Sequence, residues 1–189
     1  MKPTLKLLVA LTLASQLSAC VPVIIGGAAA GGAMAADRRT SGVYVEDENI
    51  ELKTVKKISD TLGEAAHVNV TSFKGNVLLT GEVPDQVAKN TAGDIAIATT
   101  SVRSVINELV IAPKTAISSR TNDTYLTSKV KTKFLSEGKF KANYVKVVTE
   151  NSVVYLLGSV TPQEGDDAAE IARNTSGVSK VVKVFEYLP

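Results

Sequence analysis

The chain repeats itself. Val68, Val70, Val77 and Val83 fall on Val145, Val147, Val154 and Val160 at an offset of 77, and Gly81 falls on Gly158. Further along, with one residue deleted, Ile95-Ala96 meets Ile171-Ala172, and Val102 and Val105 meet Val178 and Val181. The fold must therefore be built twice from a unit of roughly 65 to 70 residues, and it is not a solenoid of many copies.

Each copy reads the same way. Ile50, Val55, Ile58 and Leu62 in the first, and Leu126, Val130 and Phe134 in the second, are apolar at helical spacing. In the second copy Asn122-Asp123-Thr124 offers caps for that helix. A hairpin follows: 68–73 and 77–83 around Lys74-Gly75-Asn76, then 145–149 and 153–160 around Glu150-Asn151-Ser152. Gly and Asn at these turns tolerate the positive φ that tight hairpins need. A second helix is predicted over 84–100 and 162–175, where Pro84 and Pro162 suit its start. A Val- and Ile-rich strand over 102–111 or 178–188 closes the unit. The order αββαβ, two amphipathic helices on one face of a three-stranded sheet, is a small two-layer α+β domain. The expected organisation is domain 1 over 46–113, a linker over 114–121 and domain 2 over 122–189. So small a unit has a thin core, and packing the copies together would help it.

The N-terminus carries a different message. Lys2 and Lys6 precede the apolar run 7–14, which is too short to span a bilayer unaided. Then comes Leu17-Ser18-Ala19-Cys20. This resembles a bacterial lipobox: residues 1–19 are read as a signal peptide and Cys20 as the lipidated residue. It is the sole cysteine of the 189 residues, so no disulfide can form within the chain. Several acyl chains on one residue would hold the protein at a membrane effectively permanently. Val21 follows the cysteine. Lipoproteins kept at the inner membrane usually carry Asp there, so the resemblance implies the outer membrane, with the protein facing the periplasm. Residues 21–36 hold no charge. They form either a longer transmembrane anchor with the preceding run or, as Pro22 and four glycines favour, an apolar tether. With the lead-in Asp37-Arg38-Arg39-Thr40-Ser41-Gly42 this tether is expected over 20–45.

Little in the chain points to catalysis. His67 is its one histidine and cannot build a Ser-His-Asp or multi-histidine site by itself. It is read as structural or solvent-facing. No metal, cofactor or catalytic residue is expected. Gly26-Gly27 and Gly31-Gly32 lie in the tether, not between a strand and a helix as a phosphate loop requires. Glu164, Asp166, Asp167 and Glu170 could be imagined as a hydrolase's carboxylates. Favourable charge in a first helical turn and a solvated face explain them as well.

The charge is uneven. Residues 20–112 hold 8 basic and 11 acidic side chains, and 113–189 hold 11 and 8, so the halves carry −3 and +3 and suggest different partners. On the first helix of the second copy, Tyr125, Lys129 and Lys133 form an i, i+4, i+8 row beside the core stripe, with Lys131 on the other flank. A tyrosine among lipid headgroups with lysines on the phosphates would serve a membrane surface. A basic, merely solvated helix face gives the same pattern. Nucleic-acid binding is excluded, because export removes the target and no arginine or stacking aromatic accompanies the lysines.

Taken together, the αββαβ order, the Val-x-Val…Val-x-Leu-x-Gly-x-Val hairpin and the closing Gly-Val-x-x-Val resemble the BON domain of bacterial periplasmic proteins. Two copies behind a lipobox are similar to the dual-BON outer-membrane lipoproteins of Gram-negative bacteria. The resemblance implies a non-enzymatic protein of envelope integrity, associated with the division site. It also implies an anionic phospholipid surface met by Tyr125, Lys129, Lys131 and Lys133, with Tyr125 standing in for a larger aromatic. A scaffold that docks envelope or division proteins is the alternative.

Overall fold

The structure, a computed structural model, describes residues 37–189. The expected signal peptide, Cys20 and residues 21–36 of the tether lie outside the described residues. In the first copy, helix α1 (Ser41–Leu62) begins at Thr40, whose hydroxyl accepts from the Val43 N–H at 3.3 Å. Strands β1 (His67–Phe73) and β2 (Asn76–Val83) follow, then α2 (Gln86–Ile97), β3 (Ser104–Asn107) and β4 (Val110–Ile111). The second copy holds α3 (Ile117–Glu137), β5 (Val145–Glu150), β6 (Val153–Val160), α4 (Pro162–Arg173) and β7 (Lys180–Tyr187).

Both sheets place the second hairpin strand at the centre. β1 and β3 flank β2, and β5 and β7 flank β6; each hairpin is antiparallel and each closing strand parallel. Both hairpins turn on two residues with positive φ, Lys74-Gly75 at 52° and 75° and Asn151-Ser152 at 49° and 61°. Positive φ at both central residues matches the right-handed twist of the flanking strands. The repeated glycine also has a steric cause. A Cβ on Gly81 would lie 2.1 Å from the His67 carbonyl oxygen, and one on Gly158 would lie 2.3 Å from that of Tyr144.

Alternation along the strands builds the layers. Val77, Leu79 and Val83 pack under α1 and α2 with Ile50, Ile58, Ala88, Ala92 and Ala96. Val154, Leu156 and Val160 pack under α3 and α4 with Val130, Phe134, Ala168 and Ala172. The intervening residues point the other way and meet across a seam: Phe73 and Leu78 join Tyr155 and Leu157 in one buried cluster. The two-layer copies thus stack sheet on sheet, helices outermost, with both sheet faces covered. A polar rim surrounds this seam. Lys146 Nζ donates to Glu51 at 2.7 Å and Lys74 Nζ to Glu186 at 2.9 Å. Burial in the seam pushes the Tyr155 phenol up to about 12.

Three local expectations change. Val55 is exposed; Asp47, Ile50, Thr54 and Ile58 are the buried face of α1, and Val55 sits a further 100° round the helix from Thr54. Residues 122–124 do not cap α3, which begins at Ile117 with Ala116 as its cap residue. Asp123 instead lies buried within the helix and accepts from the Asn151 and Ser152 N–H groups at 2.9 and 2.8 Å. Asp47 holds the first hairpin in the same manner, accepting from the Lys74 and Gly75 N–H groups at 2.8 and 2.9 Å. Finally, the closing strand of the first copy is broken between β3 and β4, where Leu109 turns into the core.

Candidate functional site

Helix α3 carries the row expected to meet lipid. Leu126, Val130 and Phe134 fill its buried stripe and fix its rotation. Tyr125 is 61% exposed. The Lys129 ammonium lies 5.8 Å from the Tyr125 ring centroid and donates to the Ser176 carbonyl at 3.0 Å. Lys133 donates to the Asn174 carbonyl at 2.9 Å. Both lysines therefore sit against the chain leaving α4, where a helix's carbonyl end attracts cations. An ammonium has three donors, so each keeps two for solvent or another acceptor. Tyr125, Lys129 and Lys133 come together on one flank. Lys131 does not join them: it lines the opposite flank, in a groove shared with Arg39, Tyr44 and Leu135. Leu135, 71% exposed on α3, was not singled out from the sequence. Its only signal there was an apolar side chain off the core stripe.

The carboxylates at 164–170 disperse to separate partners. Glu164 completes a capping box with Thr161 and receives Arg38 on both oxygens, at 2.7 and 2.8 Å. That Arg38 bond, more than the opposing effect of burial, holds the Glu164 carboxyl below the usual range. Asp166 accepts from Lys183 at 3.1 Å, and Lys139 lies 3.6 Å from both Asp167 and Glu170. The lead-in thus grips both copies. Arg38 reaches Glu164 and the Ser159 carbonyl of the second, while buried Arg39 bridges Asp37 and Asp47 of the first.

At the opposite rim of the seam three ionisable groups converge. His67 opens β1 directly across from Glu82 on β2, and Glu150 closes β5 of the other copy. His67 Nδ1 is 3.0 Å from Glu82 Oε2. Asn151 donates to the other Glu82 oxygen at 2.8 Å, and Asn69 donates to Glu150 at 2.7 Å, so each copy supplies an amide to the other's carboxylate. Burial would raise the Glu82 carboxyl, but bonds from Asn151, the Thr115 N–H and His67 outweigh it and hold it below the ordinary range. For Glu150 burial wins over the Asn69 bond, and its carboxyl lies above that range.

A duplicated αββαβ sandwich, two small two-layer units stacked sheet on sheet, defines a class of tandem α+β domain proteins. The BON domain family model matches residues 46–113 and again 122–189. The chain belongs to the BON domain family, in two tandem copies. It is 41% identical over 191 residues to outer membrane lipoprotein DolP of Haemophilus influenzae, covering 100% of this chain and 98% of that protein. It is 37% identical over 154 residues to the 21 kDa hemolysin of Actinobacillus pleuropneumoniae, covering 80% and 79%. Against osmotically-inducible protein Y of Escherichia coli it is 30% identical over 144 residues, covering 74% and 72%. Among the described residues no helix is long and apolar enough to cross a membrane.

Proposed function

We propose that this protein is a non-catalytic lipoprotein, anchored through Cys20 to the outer membrane and facing the periplasm, whose second BON domain binds anionic phospholipid and supports envelope integrity. One observation carries this reading: an exposed tyrosine in a row with two surface lysines, on a helix of the chain's basic half, residues 113–189 with net charge +3. The aromatic ring suits the headgroup layer and the ammonium groups suit lipid phosphates. The full-length relative named as an outer membrane lipoprotein supports the location. Exposed Val45 and Leu52 on α1 favour a second role, docking of an envelope or division protein on the first domain.

The test is sedimentation of the unlipidated chain from residue 37 with phosphatidylglycerol vesicles. Glutamine at 129 and 133 keeps a donor for the Ser176 and Asn174 carbonyls while removing charge, so the fold is preserved. At about 1 kcal/mol per lysine near an anionic surface, the double variant loses on the order of 2 kcal/mol, about 30-fold in affinity. The same change at Lys53 and Lys56 on α1 leaves binding intact. Wild-type-like binding by the Lys129→Gln, Lys133→Gln variant, or binding indifferent to salt, overturns the lipid reading and moves the docking role ahead.

A further inference from the structure

The geometry points to a zinc site at the seam, formed by His67, Glu82 and Glu150. The strand pleat aims all three side chains into the space between the sheets, and each offers a ligand atom within 4.8 Å of the others. Zinc holds nitrogen and oxygen ligands at about 2.0–2.2 Å, so tetrahedral neighbours stand roughly 3.3–3.5 Å apart. His67 Nδ1 and Glu82 Oε2, at 3.0 Å, are already near that separation, and Glu150 must close in from within 4.8 Å to complete the set.

Charge and burial single this cluster out. Glu82 is 1% exposed and Glu150 5%. Elsewhere arginine or lysine answers the carboxylates of the rim: Arg38 on Glu164, Arg39 on Asp47, Lys146 on Glu51 and Lys74 on Glu186. Among the described residues no lysine or arginine forms an ion pair with Glu82 or Glu150; their partners are amides, Thr115, Thr80 and the imidazole. Two carboxylates buried this close together, with no lysine or arginine between them, repel each other, and a dication bound by both relieves that repulsion. A cavity of about 370 Å³, lined by His67, Asn69, Glu150 and Arg120, opens onto the cluster. It gives an ion a way in and leaves room for water at a fourth position. The imidazole donor selects zinc over magnesium or calcium, which take oxygen ligands. Because His67 and Glu82 belong to the first domain and Glu150 to the second, bound zinc fastens the pair together.

Equilibrium dialysis of the full lipidated protein in detergent, stripped with a chelator and titrated with zinc chloride, tests this. Lipidation occupies the Cys20 thiol, so it adds no competing zinc ligand. One zinc ion per chain is expected, displaced little by a large excess of magnesium, together with a higher melting temperature. Glu150→Gln keeps the acceptor for Asn69 and His67→Asn keeps a polar side chain, so both variants fold; each weakens zinc binding at least tenfold, whereas Asp166→Asn on the outer face does not. No saturable binding by the wild type, or equal binding by the His67→Asn and Glu150→Gln variants, overturns the site.

Discussion

Replacing Asp47 with alanine tests how the hairpins are held. The Asp47 carboxylate lies almost wholly buried and accepts four bonds: Ser72 Oγ at 2.6 Å, the Lys74 and Gly75 N–H groups at 2.8 and 2.9 Å, and Arg39 at 2.9 Å. Truncation leaves two backbone donors without partners, at about 1–3 kcal/mol each, and strips Arg39 of one of its two carboxylates. The expected loss is about 3–5 kcal/mol, a large part of the roughly 5–15 kcal/mol that holds a domain folded. For a protein of this size that corresponds to a melting temperature lowered by about 10–15 °C, read by circular dichroism. Acid adds a second check. Burial would raise the Asp47 carboxyl, yet its bonds from Ser72, Gly75, Lys74 and Arg39 bring it below the ordinary value. A carboxyl depressed in the folded state contributes stability that is present above its unfolded pKa of about 3.9 and is lost as pH falls through the folded value. The gap between wild type and Asp47→Asn should therefore be full near neutrality and narrow below about pH 4. A melt within about 2 °C of wild type for Asp47→Ala, or a gap unchanged in acid, would refute the role assigned to this residue.

Asp123→Ala removes the carboxylate that accepts from two N–H groups of the second hairpin but strips no arginine of a partner, so its loss in the same melt should be smaller, about 2–4 kcal/mol. Gly158→Ala drives a methyl into the Tyr144 carbonyl, and Gly81→Ala adds a strained φ of 115° to a similar clash. Both should fall to insoluble or molten protein on expression, Gly81→Ala the more severely, as gel filtration and near-ultraviolet circular dichroism would show. Arg38→Ala frees Glu164 from its bidentate partner and should cost about 1–3 kcal/mol. In that variant Glu164 should titrate at a higher pH, followed by carboxyl carbon NMR.

Much of this architecture is legible in the sequence because the pleat repeats it. The valines at 68, 70, 77 and 83 and their counterparts mark the hairpins, and Leu126, Val130 and Phe134 mark α3 without error. On α1 a polar stripe misled the reading: Asp47 and Thr54 are buried there, and their side chains carry no apolar signal. The seam left one trace, the unbroken apolar runs Val77-Leu78-Leu79 and Val153-Val154-Tyr155-Leu156-Leu157, which suit strands covered on both faces. The cluster at His67 could not be read at all. Its histidine and Glu150 stand far apart in the chain and meet only when the second copy docks on the first. In the lysine row, periodicity placed Tyr125, Lys129 and Lys133 together but could not foresee that two of them rest on the carbonyls beyond α4.

The two arginines of the lead-in have a mechanical consequence. Tension arriving from the N-terminal side meets the folded body at Asp37, and from there divides between Arg38, clamped to the second domain, and Arg39, embedded in the first. A chain fastened to one domain alone would be peeled from its partner by such a pull. Fastened to both at adjacent residues, it loads the two domains together rather than one against the other.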